Sequence, residues 1–170
     1  DLEERGLLGA HAWIAAPGQE QPALYVNFDV FGWGDTLWMM TPQDGTPLVA
    51  ALHAASRDEG IGFQPGDRYP PTDHLAFLKA GWPAVSFSLV GGDEIAAILQ
   101  AFDGQAPDPA PRVMQVIHSP SDDASQLDPA AVPEALRVVE AGLRALDVAA
   151  VAEVPRAESP ASAAGASGGP

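Results

Sequence analysis

The chain has 170 residues, 46% of them hydrophobic, enough for one domain with a buried core. Eight Lys and Arg stand against 23 Asp and Glu, a formal charge of −15 with no basic stripe, which excludes a nucleic-acid partner held through its phosphates. No apolar run approaches the ~20 residues of a membrane span, and the absence of cysteine excludes disulfides and thiolate metal sites, leaving oxygen and nitrogen as metal donors.

In chain order, residues 6–16 read as a short helix with Leu7, Leu8 and His11 to Ile14 along its apolar face, ended by Pro17-Gly18. Leu24 to Phe31 reads as a strand, with Asp29 near its C-terminal end, where open α/β sheets hold their ligands. Thr36 to Met40 is a second extended run, and Thr46 opens a helix through Ser56 with Leu48, Leu52 and Ala55 at helical spacing. Gly60 to Pro71 is a Gly- and Pro-rich loop with a brief strand. Asp73 to Lys79 reads as a helix stopped by Gly81 and Pro83, and Ala84 to Val90 as a strand buried on both faces. A helix over Gly92–Phe102 and a loop over Gly104–Pro111 follow. Met114 to Ile117 is expected to be a short strand that delivers His118 at its end. Pro133 suits a helix's first turn, after which Val132, Leu136, Val139, Leu143 and Leu146 mark one buried face. From Val151 to Pro170, Ala, Pro, Ser and Gly supply 15 of 20 residues, a composition expected of a disordered tail, so the folded domain is placed at residues 1–150. Strands alternating with helices predict an α/β fold, a mainly parallel or mixed sheet flanked by helices on both faces.

Four segments carry chemistry: Glu3-Glu4, Asn27 to Gly32, Thr72 to Ala84, and His118 to Asp122. Two carboxylates, a third carboxylate and an imidazole suit zinc, which takes Asp/Glu oxygen and His nitrogen at ~2.0–2.2 Å. The adjacent glutamates allow one side chain to hold metal while its neighbour faces the attacking water. Each segment alone has a plainer reading: a solvated acidic pair, a turn aspartate before Gly32-Trp33-Gly34, a loop histidine. Asp29 resists its plain reading, because a carboxylate among Tyr25, Val26, Phe28, Val30 and Phe31 is costly unless paired or metal-bound. Asp122 is placed to orient the His118 imidazole through its other nitrogen. Asp73 and His74 read equally well as a helix-capping aspartate with a packed histidine and as groups at the pocket. His11 and His53 fall on predicted helices as structural or exposed residues, and Trp33, Trp38 and Trp82 as core or pocket wall.

The four segments, in this order, resemble the dizinc exopeptidase family that contains bacterial leucyl aminopeptidases, glutamate carboxypeptidase and the glutaminyl cyclases, over residues 1 to about 147. The family pattern E-E-x-G-L-x-G-S is met by Glu3 to Ala10 with alanine last, and N-x-D-x-x-G by Asn27 to Gly32. The pattern S-D-H-x-x-F-x-x-x-G-x-P-A is met from Thr72, with threonine for serine. H-T-x-x-D followed by L-D is met by His118 to Asp122 and Leu127-Asp128, with Ser119 for threonine. The resemblance implies Glu3 as general base, Glu4 and His118 as ligands of one zinc, Asp29 as ligand of the other, and two zinc ions in the full-length protein. It implies a metallopeptidase, most simply an aminopeptidase, that hydrolyses a terminal peptide bond with a metal-bound water, and a secreted or periplasmic location. The family also carries an upstream His-x-Asp and a metal-bridging aspartate, both ahead of the Glu-Glu pair. The chain is therefore expected to be the C-terminal portion of a longer protein, with an incomplete metal site and no activity alone. A glutaminyl cyclase is the alternative within the family. Cyclases of this pattern carry Asp at Thr72, Trp at Ile117 and Trp at Gly9, and all three differ here. A non-catalytic peptidase-like binding module is the alternative of another class, and the retained segments, none of them broken, count against it.

Overall fold

The computed structural model describes residues 2–152. Four strands, β1 (Tyr25–Phe31), β2 (Thr36–Met40), β3 (Gly62–Gly66) and β4 (Ala84–Val90), form one sheet in the order β1-β4-β2-β3. β1 runs parallel to β4 and β2 parallel to β3, while β2 and β4 are antiparallel, so the sheet is mixed. Among the described residues six α-helices accompany it: α1 (Leu8–Ala15), α2 (Pro47–Glu59), α3 (His74–Lys79), α4 (Ile95–Phe102), α5 (Arg112–Val116) and α6 (Ala131–Ala152).

Alternation along the strands sends side chains to two faces. Leu37 and Met39 of β2 and Val85, Phe87 and Leu89 of β4 pack against Leu48, Val49 and Leu52 of α2 and Ala135, Val138 and Val139 of α6. α2 starts cleanly because Thr46 accepts the Val49 N–H at 3.2 Å and Pro47 occupies the first turn. On the opposite face Trp38 and Val90 pack with Ile95 and Ile98 of α4 and Val113 and Val116 of α5, and Ala84 packs with Leu7, Ala10, Ala76 and Phe77 of the α1–α3 layer. Helices thus cover both faces, as the α/β reading requires.

One element differs in kind from expectation. The strand predicted over Met114–Ile117 is the end of helix α5, and His118 follows a helix rather than a strand. The physical reason is the spacing of Val113, Val116 and Ile117, which is helical and buries one side against α4, whereas all four strands already form one sheet without it. Residues 153–170, where the Ala/Pro/Ser/Gly tail is expected, lie outside the described residues. No described helix is long and apolar enough to cross a membrane.

Candidate metallopeptidase site

The glutamate pair sits on a single 3₁₀ turn, Glu3–Arg5, bracketed by left-handed residues at Leu2 (φ 77°), Gly6 (φ 90°) and Leu7 (φ 60°). With about three residues per turn, neighbouring side chains diverge by about 120°. Glu4 Oε1 meets His118 Nε2 at 2.6 Å, both side chains about two-thirds exposed. His118 is held in a left-handed conformation (φ 58°) just past α5, whose last turn is tied down by Ser119 Oγ donating to the Val116 carbonyl at 2.6 Å.

Asp29 comes from β1, partly buried. Its carboxylate accepts the Val30 N–H, yet desolvation prevails and raises its pKa above the ordinary aspartate value, with Asp73 and Glu4 adding to the rise and His118 opposing it. Desolvation also raises Glu3, followed by the charges of Asp29, Glu4 and Asp73, again against His118. The mutual influence of these groups shows that segments far apart in sequence have been gathered into one acidic neighbourhood.

That neighbourhood is the wall of a cavity of about 540 Å³ on the α4/α5 side of the sheet, lined by Glu3, Glu4, Asp29, His118 and Asp122. The remaining wall is largely apolar, with Trp38, Val90, Ile98, Val113 and Ile117 prominent. The other residues of interest fall around it. Among the described residues Asp122 makes no hydrogen bond to His118, whose close partner is Glu4. Asp73 borders a smaller neighbouring hollow with Trp13, Tyr25 and Phe77, and one of its carboxylate oxygens is buried without a hydrogen bond. His74 is fully buried, edge-on to the ring of Tyr69 at 5.7 Å between centroids, and burial lowers its pKa to about 4. His11 lines the main cavity, His53 lies on α2 against Phe63, and Trp33 is core. Tyr69 and Ser88, outside the motif segments, and Lys79, at an unspecified position of one, also line the cavity. For Ser88 a signal existed: Ser86 and Ser88 alternate within an otherwise apolar strand and mark its polar face.

The donors fit zinc in kind, carboxylate oxygen and imidazole nitrogen. The Glu4–His118 contact of 2.6 Å is a hydrogen-bond distance, shorter than the ~3.3 Å between donors placed ~2.0 Å from a tetrahedral ion. Both side chains are exposed and free to part by that amount. Among the described residues no group of three or more His, Asp or Glu side chains closes around a single point. Glu4 and His118 form a close pair, and Asp29 lines the same cavity.

Comparison with known proteins bears on this arrangement. No curated protein matches. Among solved structures, a zinc aminopeptidase from Bacillus subtilis is similar at a TM-score of 0.55, with 17% identity over 81% of this chain and 32% of that one. An aminopeptidase from Aneurinibacillus sp. strain AM-1 is similar at a TM-score of 0.52, with 21% identity over 82% of this chain and 30% of that one. The chain spans about a third of the length of these structures, and the likeness is one of fold. The sequence model of Peptidase family M28 matches residues 1–142, a stretch that includes the glutamate pair, Asp29 and His118. The chain belongs to peptidase family M28.

Proposed function

We propose that this chain forms part of the active site of a zinc-dependent exopeptidase, an aminopeptidase, in which Glu3 is the general base, Glu4 and His118 hold one zinc and Asp29 contributes to the second. The observation that carries the reading is the meeting of these four side chains, from segments more than a hundred residues apart, at one cavity. Zinc, when bound, supplies Lewis acidity toward a carbonyl and toward water. Glu3, beside Glu4 at the same cavity, takes the proton of the attacking water and returns it to the leaving amine. The carboxylate-rich rim favours a cationic α-amine, and the apolar wall of Trp38, Val90, Ile98, Val113 and Ile117 suits an apolar terminal side chain beside it.

The test is made on the whole protein with paired substrates, a leucyl peptide with a free amino terminus and the same peptide acetylated. The expected result is cleavage of the free peptide alone, lost on chelation and restored by zinc. Cleavage of the acetylated peptide at equal rate overturns the aminopeptidase assignment, and activity indifferent to chelation overturns the metal.

A further inference from the structure

Asn27 pairs with Ser86 on the cavity face, so alternation brings Asp29 to that same face, and an irregularity in β1 begins at Asp29 itself. The pairing with β4 runs in step from Tyr25 opposite Ala84 to Phe28 opposite Phe87, and resumes with Phe31 opposite Leu89. Asp29 and Val30 thus stand together against Ser88, the two-against-one arrangement of a β-bulge, which bends a strand and re-aims its side chains. Val30 has φ 50°. That conformation is costly for a β-branched residue and persists only where the surroundings over-determine it.

The surroundings here are hydroxyl groups. Ser88 Oγ donates to the Asp29 carbonyl at 2.6 Å. A serine has a single hydroxyl hydrogen, so in its close contact with Tyr69 Oη the serine accepts and the phenol donates. The same accounting extends outward: Ser86 Oγ donates to Tyr69 Oη at 3.5 Å, and Asn27 Nδ2 donates to Ser86 Oγ at 3.1 Å. Asn27 Nδ2 also donates to Thr72 Oγ1 at 2.5 Å, which anchors the far end of the chain of bonds. Burial pushes the Tyr69 phenol well above its ordinary pKa, so its proton is present throughout the neutral range.

We propose that Ser88 and Tyr69 are positioning residues: a one-way relay from Asn27 through Ser86, Tyr69 and Ser88 clamps the Asp29 carbonyl, locks the bulge, and so fixes the direction in which the Asp29 carboxylate enters the cavity. Loss of the clamp lets Val30 return to an extended conformation, which rotates the Asp29–Val30 peptide, turns Val30 and Phe31 to opposite faces, and leaves the Asp29 carboxylate on the cavity face without a fixed direction. The effect on metal rests on the reading of Asp29 as a zinc ligand; the clamp itself rests on the hydrogen bonds.

The experiment uses the whole protein and its Ser88→Ala, Tyr69→Phe, Ser88→Thr and Asp29→Asn variants. Zinc affinity is read by competition with a chromophoric chelator, alongside kcat, KM and Tm. Ser88→Ala and Tyr69→Phe are each expected to weaken one zinc equivalent by about 10–100-fold, the usual consequence of removing a group that orients a ligand. KM should be little changed, and Tm should move by no more than a few degrees. Ser88→Thr, which keeps the hydroxyl, should restore affinity. Wild-type zinc affinity in both Ser88→Ala and Tyr69→Phe, with Asp29→Asn impaired, overturns the relay and leaves the ligand reading standing. Unchanged affinity in Asp29→Asn overturns the ligand reading, and the metal effect with it.

Discussion

β4 has a different chemistry on each of its two sides. Toward α2 and α6 it presents Val85, Phe87 and Leu89 to a layer built wholly of apolar side chains. On the opposite face it presents Ser86 and Ser88, bonded to Asn27, Tyr69 and the Asp29 carbonyl, with Ser88 at the cavity. Both sides are buried, but they are held by different forces. The first is held by area removed from water and by close packing, which tolerate no void and ask for no direction. The second is held by directed bonds that fix orientation and add little net stability, about 1 kcal/mol each. A site that must aim a carboxylate needs the second kind, and the first kind supplies the rigid floor beneath it.

The comparison breaks most visibly at Phe87, which is fully buried on the dry side. Phe87→Ala is expected to cost about 3–5 kcal/mol, read by denaturant unfolding, because neighbouring residues cannot fill the void. A loss under about 1 kcal/mol would mean that this layer is not the main source of stability.

A smaller effect sharpens the contrast from the polar side. His74 is buried and its pKa is lowered to about 4 by desolvation, so the unfolded chain binds the proton more readily than the folded one. The stability tied to a neutral His74 is therefore complete above about pH 6.5, the unfolded value, and is lost as pH falls toward about 4. Its full size at pH 4 is about 3 kcal/mol. Unfolding free energies at pH 7 and pH 4 should fall by that much more in the wild type than in His74→Leu. Equal losses in the two proteins would show that His74 is hydrated or charged in the folded state.

Much of this architecture is legible in the sequence because the apolar periods are strong. The strands of β1, β2 and β4 and the helices α2 and α6 follow from alternation or helical spacing, and the four motif segments point to the carboxylates and the histidine. Two things were not legible. The stretch before His118 carries β-branched Val116 and Ile117, which favour a strand locally, while packing of Val113, Val116 and Ile117 against α4 makes it a helix. The Ser86/Ser88 alternation marks a polar face of β4, but the role of Ser88 and Tyr69 depends on register: the partner of Ser88 is set by the bulge at Asp29–Val30 and by the loop that brings Tyr69 over β4. No local pattern reports a register between strands some sixty residues apart.

The central claim is the division of labour within the glutamate pair, and the direct measurement is turnover together with bound zinc in Glu3→Gln and Glu4→Gln of the whole protein. Glu3→Gln should keep its zinc and lose about 10²–10⁴-fold in kcat, the usual worth of a positioned acid–base group. Glu4→Gln should lose zinc from one site, because an amide oxygen is a poorer donor than a carboxylate, and should recover activity in part when zinc is added. Zinc lost from Glu3→Gln and retained in Glu4→Gln would reverse the assignment, and full activity in both variants would contradict it.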